Sequence, residues 1–353
     1  MPGAASTRGL AAPSSERLGA VQETLTASHR LVLPPLRAVV NTLPLSLLEV
    51  AGYHFGWLDR CGRPAEADGG KMLRPSLALL AAEAAGGRAE DGVLGAVAVE
   101  LVHGFSLLHD DVMDGDRIRR HRPTAWTLFG VPMATLTGDA LLALATQVLA
   151  ETGRAAEYTT LVLSSTLIRL MGGQCADLDF EARTTVTVDE CVQMATNKTG
   201  ALLGCACALG GHLGGGNRDQ VRHLQRFGDW SGLSYQFADD LLGIAGDTRV
   251  TGKPVGADLA RRKKSLPVVF ALSSGTAAGE ELAELYDLDR PLTPEEIRRA
   301  TKAVRAAGGL EWAKREANRY RTLALQELRA CDLRPRPVGE LERLADLMTH
   351  RDH

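Results

Sequence analysis

The chain has 353 residues, 40 basic and 43 acidic, with a formal net charge of −3. That balance provides no field to draw nucleic acid. The 45% of hydrophobic residues is enough for a substantial core. The six cysteines, Cys61, Cys175, Cys191, Cys205, Cys207 and Cys331, form no C-x-x-C pair, which reads as reduced thiols in a cytoplasmic protein. No run of about 18 apolar residues suggests a membrane span, and the N-terminal segment lacks the apolar centre of a secretory signal.

In chain order, residues 1–28 are rich in Ala, Gly, Ser, Pro and Arg and read as a disordered tail, either a spacer or a docking peptide for a partner. Residues 29–353 form one domain, because no composition break divides them. A helical pattern begins near residue 29, with Pro34, Pro35 and Pro44 expected at helix starts or breaks. A Gly69-Gly70-Lys71 turn leads into helices over 75–86 and 91–115. A basic loop over 117–124 follows, then helices over 131–150 and 156–182, and one opened by Thr187. The Gly-rich stretch 210–216 reads as a loop. A long helix covers 218–244, and a polar loop leads to a short apolar helix after Pro267. Thr293-Pro294-Glu295-Glu296 is a capping box that opens the C-terminal helices. No stretch alternates with period two, so the class is all-α.

Chemistry concentrates at two helix ends. Asp110 and Asp114 stand one turn apart on one face of an apolar helix, with Asp111 beside them. Carboxylates at a helix C-terminus oppose the dipole and need a cation. Mg²⁺ fits, because it takes one or two carboxylates and fills its shell with water and phosphate oxygens. Arg119 and Arg120 follow at once, and arginine is a usual phosphate partner. Asp239 and Asp240 end another apolar helix, with Gln236 just before them. Two such helices in one bundle bring both acidic ends to one cavity mouth.

Taken together, Gly-Gly-Lys-x-x-Arg-Pro at 69–75, His103 seven residues before Asp110, D-D-x-x-D at 110–114, Arg119-Arg120, Gly138-Asp139, Gly173-Gln174, Lys198-Thr199-Gly200, Gln236-x-x-Asp239-Asp240, Gly252-Lys253-Pro254 and Lys263-x-Ser-Leu-Pro closely resemble the polyprenyl synthetase family, the head-to-tail (trans) isoprenyl diphosphate synthases, over about residues 35–350. The resemblance implies a single large antiparallel helical bundle around a central apolar cavity, a Mg²⁺-dependent transferase, about three ions per site and a homodimer. It implies that Asp110, Asp114 and Asp239 bind Mg²⁺, supported by Asp111 and Asp240. It implies that Arg119, Lys198 and Lys253 hold an allylic diphosphate with Lys263 nearby, and that Lys71, Arg74, His103 and Arg120 hold isopentenyl diphosphate. Thr199 and Gln236 then line the site near the forming cation.

One departure stands out. The second motif in the family usually reads D-D-x-x-D, and here it is Asp239-Asp240-Leu241-Leu242-Gly243. The i+4 carboxylate is missing, which questions the third Mg²⁺; Asp247 lies further on. Phe105, about 7.5 Å back from Asp110 along the helix axis, with small Ser106 beside it, resembles the floor of short-chain synthases that make C20 product, with C15 close behind. Simple core packing accounts for Phe105 equally well. The competing readings are a regulatory subunit of a heteromeric synthase, a related terpene cyclase and a structural helical protein. The ordered cations argue against the last two.

Overall fold

The structure, a computed structural model, describes residues 15–65, 70, 72–246 and 256–350. Lys71, Asp247 and Lys253 lie outside the described residues, as do residues 1–14 of the expected tail. Residues 15–28 are not tail. Helix α1 spans Ser15–Val40 and contains Pro34 and Pro35 in its interior. Buried Val21, Leu25, Ser28, Val32, Leu36 and Val40 recur at three- and four-residue steps along it. That sparse stripe is the signal that composition masks. Its burial outweighs the roughly 3 kcal/mol that an interior proline costs a helix. Pro44 caps α2, Leu45–His54, as expected of a helix start.

Helices α3 (Leu73–Ala85) and α4 (Val93–Met113) follow. The expected basic loop contains a small antiparallel hairpin, β1 (Ile118–Arg119) and β2 (Arg122–Pro123). Next come α5 (Ala125–Phe129), α6 (Val131–Ala150), α7 (Ala156–Ala182) and α8 (Val188–Ala195), the last opened by a Thr187/Glu190 capping box. A π turn, Thr196–Gly200, joins α8 to α9, Ala201–Leu213. The long α10, Arg218–Ala245, starts on an Asn217/Gln220 capping box. The C-terminal part contains α11 (Ala257–Ala260), α12 (Leu266–Leu272), α13 (Ala277–Tyr286), α14 (Pro294–Ala306), α15 (Gly309–Arg329) and α16 (Pro335–Thr349). The architecture is all-α, as the sequence indicates.

Helix α9 is the axis of the bundle. Every residue from Ala201 to Gly211 is buried, and a helix apolar on all sides belongs inside a core. It packs on α3, α4, α7 and α10. The glycines read as a loop at 210–216 instead serve this contact. A Cβ on Gly210 would lie 1.9 Å from the Ala78 carbonyl oxygen, and one on Gly214 would lie 2.3 Å from that of Ala82. The helix therefore continues to Leu213 against the backbone of α3. By length and composition α4 and α6 could each cross a membrane, but α4 is 67% buried over its most apolar window and functions as a core helix.

Candidate active site

The C-terminal end of α4 opens on a cleft of about 1230 Å³ whose lining includes Asp110, Asp114, Arg119, Asp177, Asp258 and Lys263. The two carboxylates of the first acidic motif therefore face one space, as their i, i+4 spacing requires. Burial pushes the Asp110 carboxyl above its ordinary range. The Lys198 charge pulls it back, and Asp114 pushes it up again. Among the described residues, no three His, Cys, Asp or Glu side chains converge to hold a metal ion by themselves. An ion that takes one or two carboxylates and completes its shell with phosphate oxygens fits this donor set.

Asp111 points elsewhere. Its side chain is 3% exposed and accepts a 2.7 Å bond from Arg119 Nε. Burial, partly offset by Arg119, raises its pKa to about 6. Asp111, expected in support of the metal site, is thus seen paired with Arg119. The four arginines of the hairpin segment divide by function. Arg122 donates to the carbonyls of Tyr53 (3.1 Å) and Leu58 (3.0 Å) and lies over the Tyr53 ring, so it ties the hairpin to α2. Arg117 stacks on Trp126. Arg119 is held for the cleft, and the Arg120 guanidinium lies against Gly70. Arg120 and His121 both have positive φ, 49° and 60°. That is the geometry of a two-residue I′ hairpin turn, which most often uses Asn-Gly. Non-glycine residues there cost of order 1 kcal/mol each, a strain found at functional sites.

His103 is half-buried on α4. Burial first, then the charges of Arg74, Arg120 and Arg119, drive its pKa well below the ordinary histidine value. Its expected place is among the groups that hold a diphosphate, and in the absence of a bound anion these neighbouring charges disfavour its protonation. His54, at the end of α2, was not singled out from the sequence. Burial and the charges of Arg120, Arg119 and Arg122 lower its pKa to about 3. It lines a small pocket with Asp111, Arg119 and Arg120.

The π turn brings in the lysines. Gly173 on α7 lets the two backbones meet, since a Cβ there would stand 2.4 Å from the Lys198 amide nitrogen. One turn further along α7, Asp177 Oδ2 lies 2.6 Å from Lys198 Nζ and 3.7 Å from Lys263 Nζ. Burial raises the Asp177 pKa, but Lys263 and Lys198 outweigh it and the net shift is downward. Asp177 is absent from the candidates that the sequence singles out. Its spacing from Gly173-Gln174 was the available signal. Also missed was the ion pair of Arg261, on the segment after α11, with buried Asp116 beside the hairpin. It joins two walls of the cleft.

On the second acidic helix, Thr199 Oγ1 donates to Gln236 Oε1 (2.6 Å), and Gln236 Nε2 donates to Asp240 Oδ1 (2.7 Å). The Leu266 amide donates to Asp240 Oδ2 (2.9 Å). Asp240 is buried, and burial, partly offset by Lys263, raises its pKa to about 7. Like Asp111, it is hydrogen-bonded to its neighbours, whereas Asp239 is exposed. Phe105 is buried and meets His109 edge-on at 4.7 Å, and the His109 ring is anchored to the Thr135 carbonyl of α6. The Ser106 hydroxyl donates to the His103 carbonyl.

Comparisons with known proteins agree with this geometry. The family model described as polyprenyl synthetase matches residues 56–304. A (2E,6E)-farnesyl diphosphate synthase of Mycobacterium tuberculosis is 41% identical over 346 residues, 96% of each chain. A geranylgeranyl diphosphate synthase of the same organism is 45% identical over 289 residues, 81% of this chain and 82% of its own. The crystal structure of a polyprenyl synthetase from Streptomyces coelicolor A3(2) superposes with a TM-score of 0.90 at 46% identity, covering 93% of this chain and 99% of that one. The fold, the paired acidic helix ends and similarity across nearly the whole length agree, and the chain belongs to the polyprenyl synthetase family, as a prenyltransferase of the short-chain isoprenyl diphosphate synthase type.

Proposed function

We propose that the chain condenses isopentenyl diphosphate head to tail with an allylic diphosphate, giving an all-trans product of C20 length, geranylgeranyl diphosphate. The observation that carries the reading is the setting of Lys263. Its ammonium lies in the combined field of Asp177, Asp240, Asp258 and Asp114, so charges from both acidic helices act on one point of the cleft.

In this reading Asp110, Asp114 and Asp239 hold Mg²⁺, which when bound neutralises diphosphate charge and eases its departure. Arg119, Lys198, Lys253 and Lys263 bind the allylic diphosphate, and Asp111 and Asp177 keep Arg119 and the two cleft lysines, Lys198 and Lys263, in position. Lys71, Arg74, His103 and Arg120 bind isopentenyl diphosphate. The allylic C–O bond breaks and the diphosphate leaves with the electron pair. The Thr199 and Gln236 oxygens face the resulting positive charge, and the apolar bundle excludes water from it. The double bond of the second substrate then forms the new C–C bond, and the released diphosphate takes the proton that is lost.

Phe105 beneath Asp110 supports the C20 length. The 41% identity to a farnesyl diphosphate synthase over 96% of the chain favours a second reading, the C15 product. Incubation with Mg²⁺, labelled isopentenyl diphosphate and each allylic primer, followed by chain-length analysis, separates the two. Absence of turnover with every primer would leave the regulatory-subunit reading in place of both. A homodimer is part of the proposal, supported by the apolar row that α6 and α7 expose through Leu136, Leu161 and Ile168. The free thiols support a cytoplasmic setting.

A further inference from the structure

Gly243 stands at i+4 from Asp239, so a side chain there would share the Asp239 face of α10. Glycine inside a helix costs about 1 kcal/mol relative to alanine, and the surroundings account for it. A Cβ on Gly243 would lie 2.2 Å from Asp258 Oδ2 and 2.9 Å from its Cγ, where ordinary contact begins at 3.4 Å. The Asp258 carboxylate thus occupies the volume that a side chain at 243 would fill. It is held there from outside α10. Leu259, the next residue, is fully buried in the cluster that contains Ile244, the neighbour of Gly243. Gly256, at φ +75°, brings the chain close to Ile297.

Asp258 also faces the correct space. It lines the cleft shared with Asp110 and Asp114. Its charge acts on Arg261 together with those of Asp116 and Asp114, and on Lys263 together with that of Asp240.

We propose that Asp258 is the carboxylate that completes the second acidic motif, delivered from α11 into the space that Gly243 leaves open. The proposal rests on the prenyltransferase reading of the cleft. It changes the meaning of the glycine: a carboxylate introduced at 243 displaces the one already present, so Gly243→Asp does not repair the motif.

Calorimetric titration of the full-length chain with inorganic diphosphate, with and without Mg²⁺, tests this. The wild type is expected to bind diphosphate in a Mg²⁺-dependent manner. Asp258→Ala should lose about tenfold in that Mg²⁺-dependent affinity, the usual scale for a supporting group of a metal site. Gly243→Ala removes no carboxylate and improves helix propensity, so it should fold at least as well as the wild type and show a comparable loss. The double variant Gly243→Asp/Asp258→Ala should recover most of the affinity, and metal-free melting curves check folding throughout. Wild-type affinity in Gly243→Ala or in folded Asp258→Ala would overturn the proposal, as would a double variant no better than Asp258→Ala. A wild type with no Mg²⁺-dependent binding would instead overturn the reading of the cleft itself, and the proposal with it.

Discussion

Lys198 Nζ and Asp177 Oδ2 lie 2.6 Å apart across the gap between the π turn and α7, and Lys263 shares the same oxygen at 3.7 Å. One half-buried carboxylate thus holds two cations at a fixed spacing. In Asp177→Asn the lysines keep their charge and lose their anchor. Substrate affinity should change little, because the positive field remains. The rate should fall about 100-fold, the scale on which a displacement of about 1 Å acts. Steady-state kcat and KM for the allylic diphosphate check this, and a parallel loss in both would point to simple disruption of the site.

Asp240 supplies a pH test. Its folded pKa, about 7, stands above the ordinary carboxyl value of 3.8 because burial disfavours its charge. A group raised in this way contributes stability that is fully present below about pH 4 and is lost as pH rises through 7. Asp240→Asn does not titrate, and its amide can still accept from the Leu266 amide while Gln236 turns its own amide to match. The wild type should therefore lose stability relative to Asp240→Asn between pH 4 and 8, by a few kcal/mol. Denaturant melts in metal-free buffer at a series of pH values measure the difference. Parallel curves for the two proteins would contradict it.

Phe105 is expected to set product length. Phe105→Ala removes the ring that rests on His109 and deepens the space below Asp110, so products should lengthen by at least one C5 unit. The cavity should also cost about 3–5 kcal/mol of stability. Chromatography of the products and a thermal melt report the two effects separately. Stability loss with unchanged product length would leave Phe105 a packing residue only.

The apolar row on α6 and α7 predicts self-association. Leu161 and Ile168 are 63% and 73% exposed and stand seven residues apart, hence on one face. Surface apolar groups clustered in this way mark contact sites. Ile168→Glu should shift the chain from dimer to monomer in sedimentation velocity at micromolar concentration. A wild type that sediments as a monomer would remove the dimer from the proposal.

Much of this site is legible in the sequence because it depends on short-range periodicity. Asp110 and Asp114 must share a face, and Thr293 with Glu296 must cap a helix, whatever surrounds them. The first turns of α1 were hidden because Val21 and Leu25 are too sparse to stand out among Ala, Gly and Ser. The glycines at 210 and 214 look like a loop until α3 is placed beside them. Asp177, Asp116 and Asp258 act through partners 21, 145 and 15 residues away in sequence, Lys198, Arg261 and Gly243, and no local pattern encodes such pairings. His103 shows a further limit: its residue type suggests a cation, whereas burial and the arginines around it push its pKa down.

The π turn at Thr196–Gly200 also constrains how the chain can vary in length. Such a turn holds one residue more than a regular helical turn. Removing one residue between 196 and 200 would let α8 and α9 run as one unbroken helix. The segments before and after the deletion would keep their registers, because the π turn absorbs its extra residue without rotating its flanks. With α9 fixed by its glycine contact on α3, what such a deletion would remove is the widened turn at which the Lys198 amide meets Gly173. The extra residue between Cys191, whose thiol lies against the Lys264 carbonyl, and Lys198 thus serves the approach of the Lys198 backbone to α7, not the register of α8.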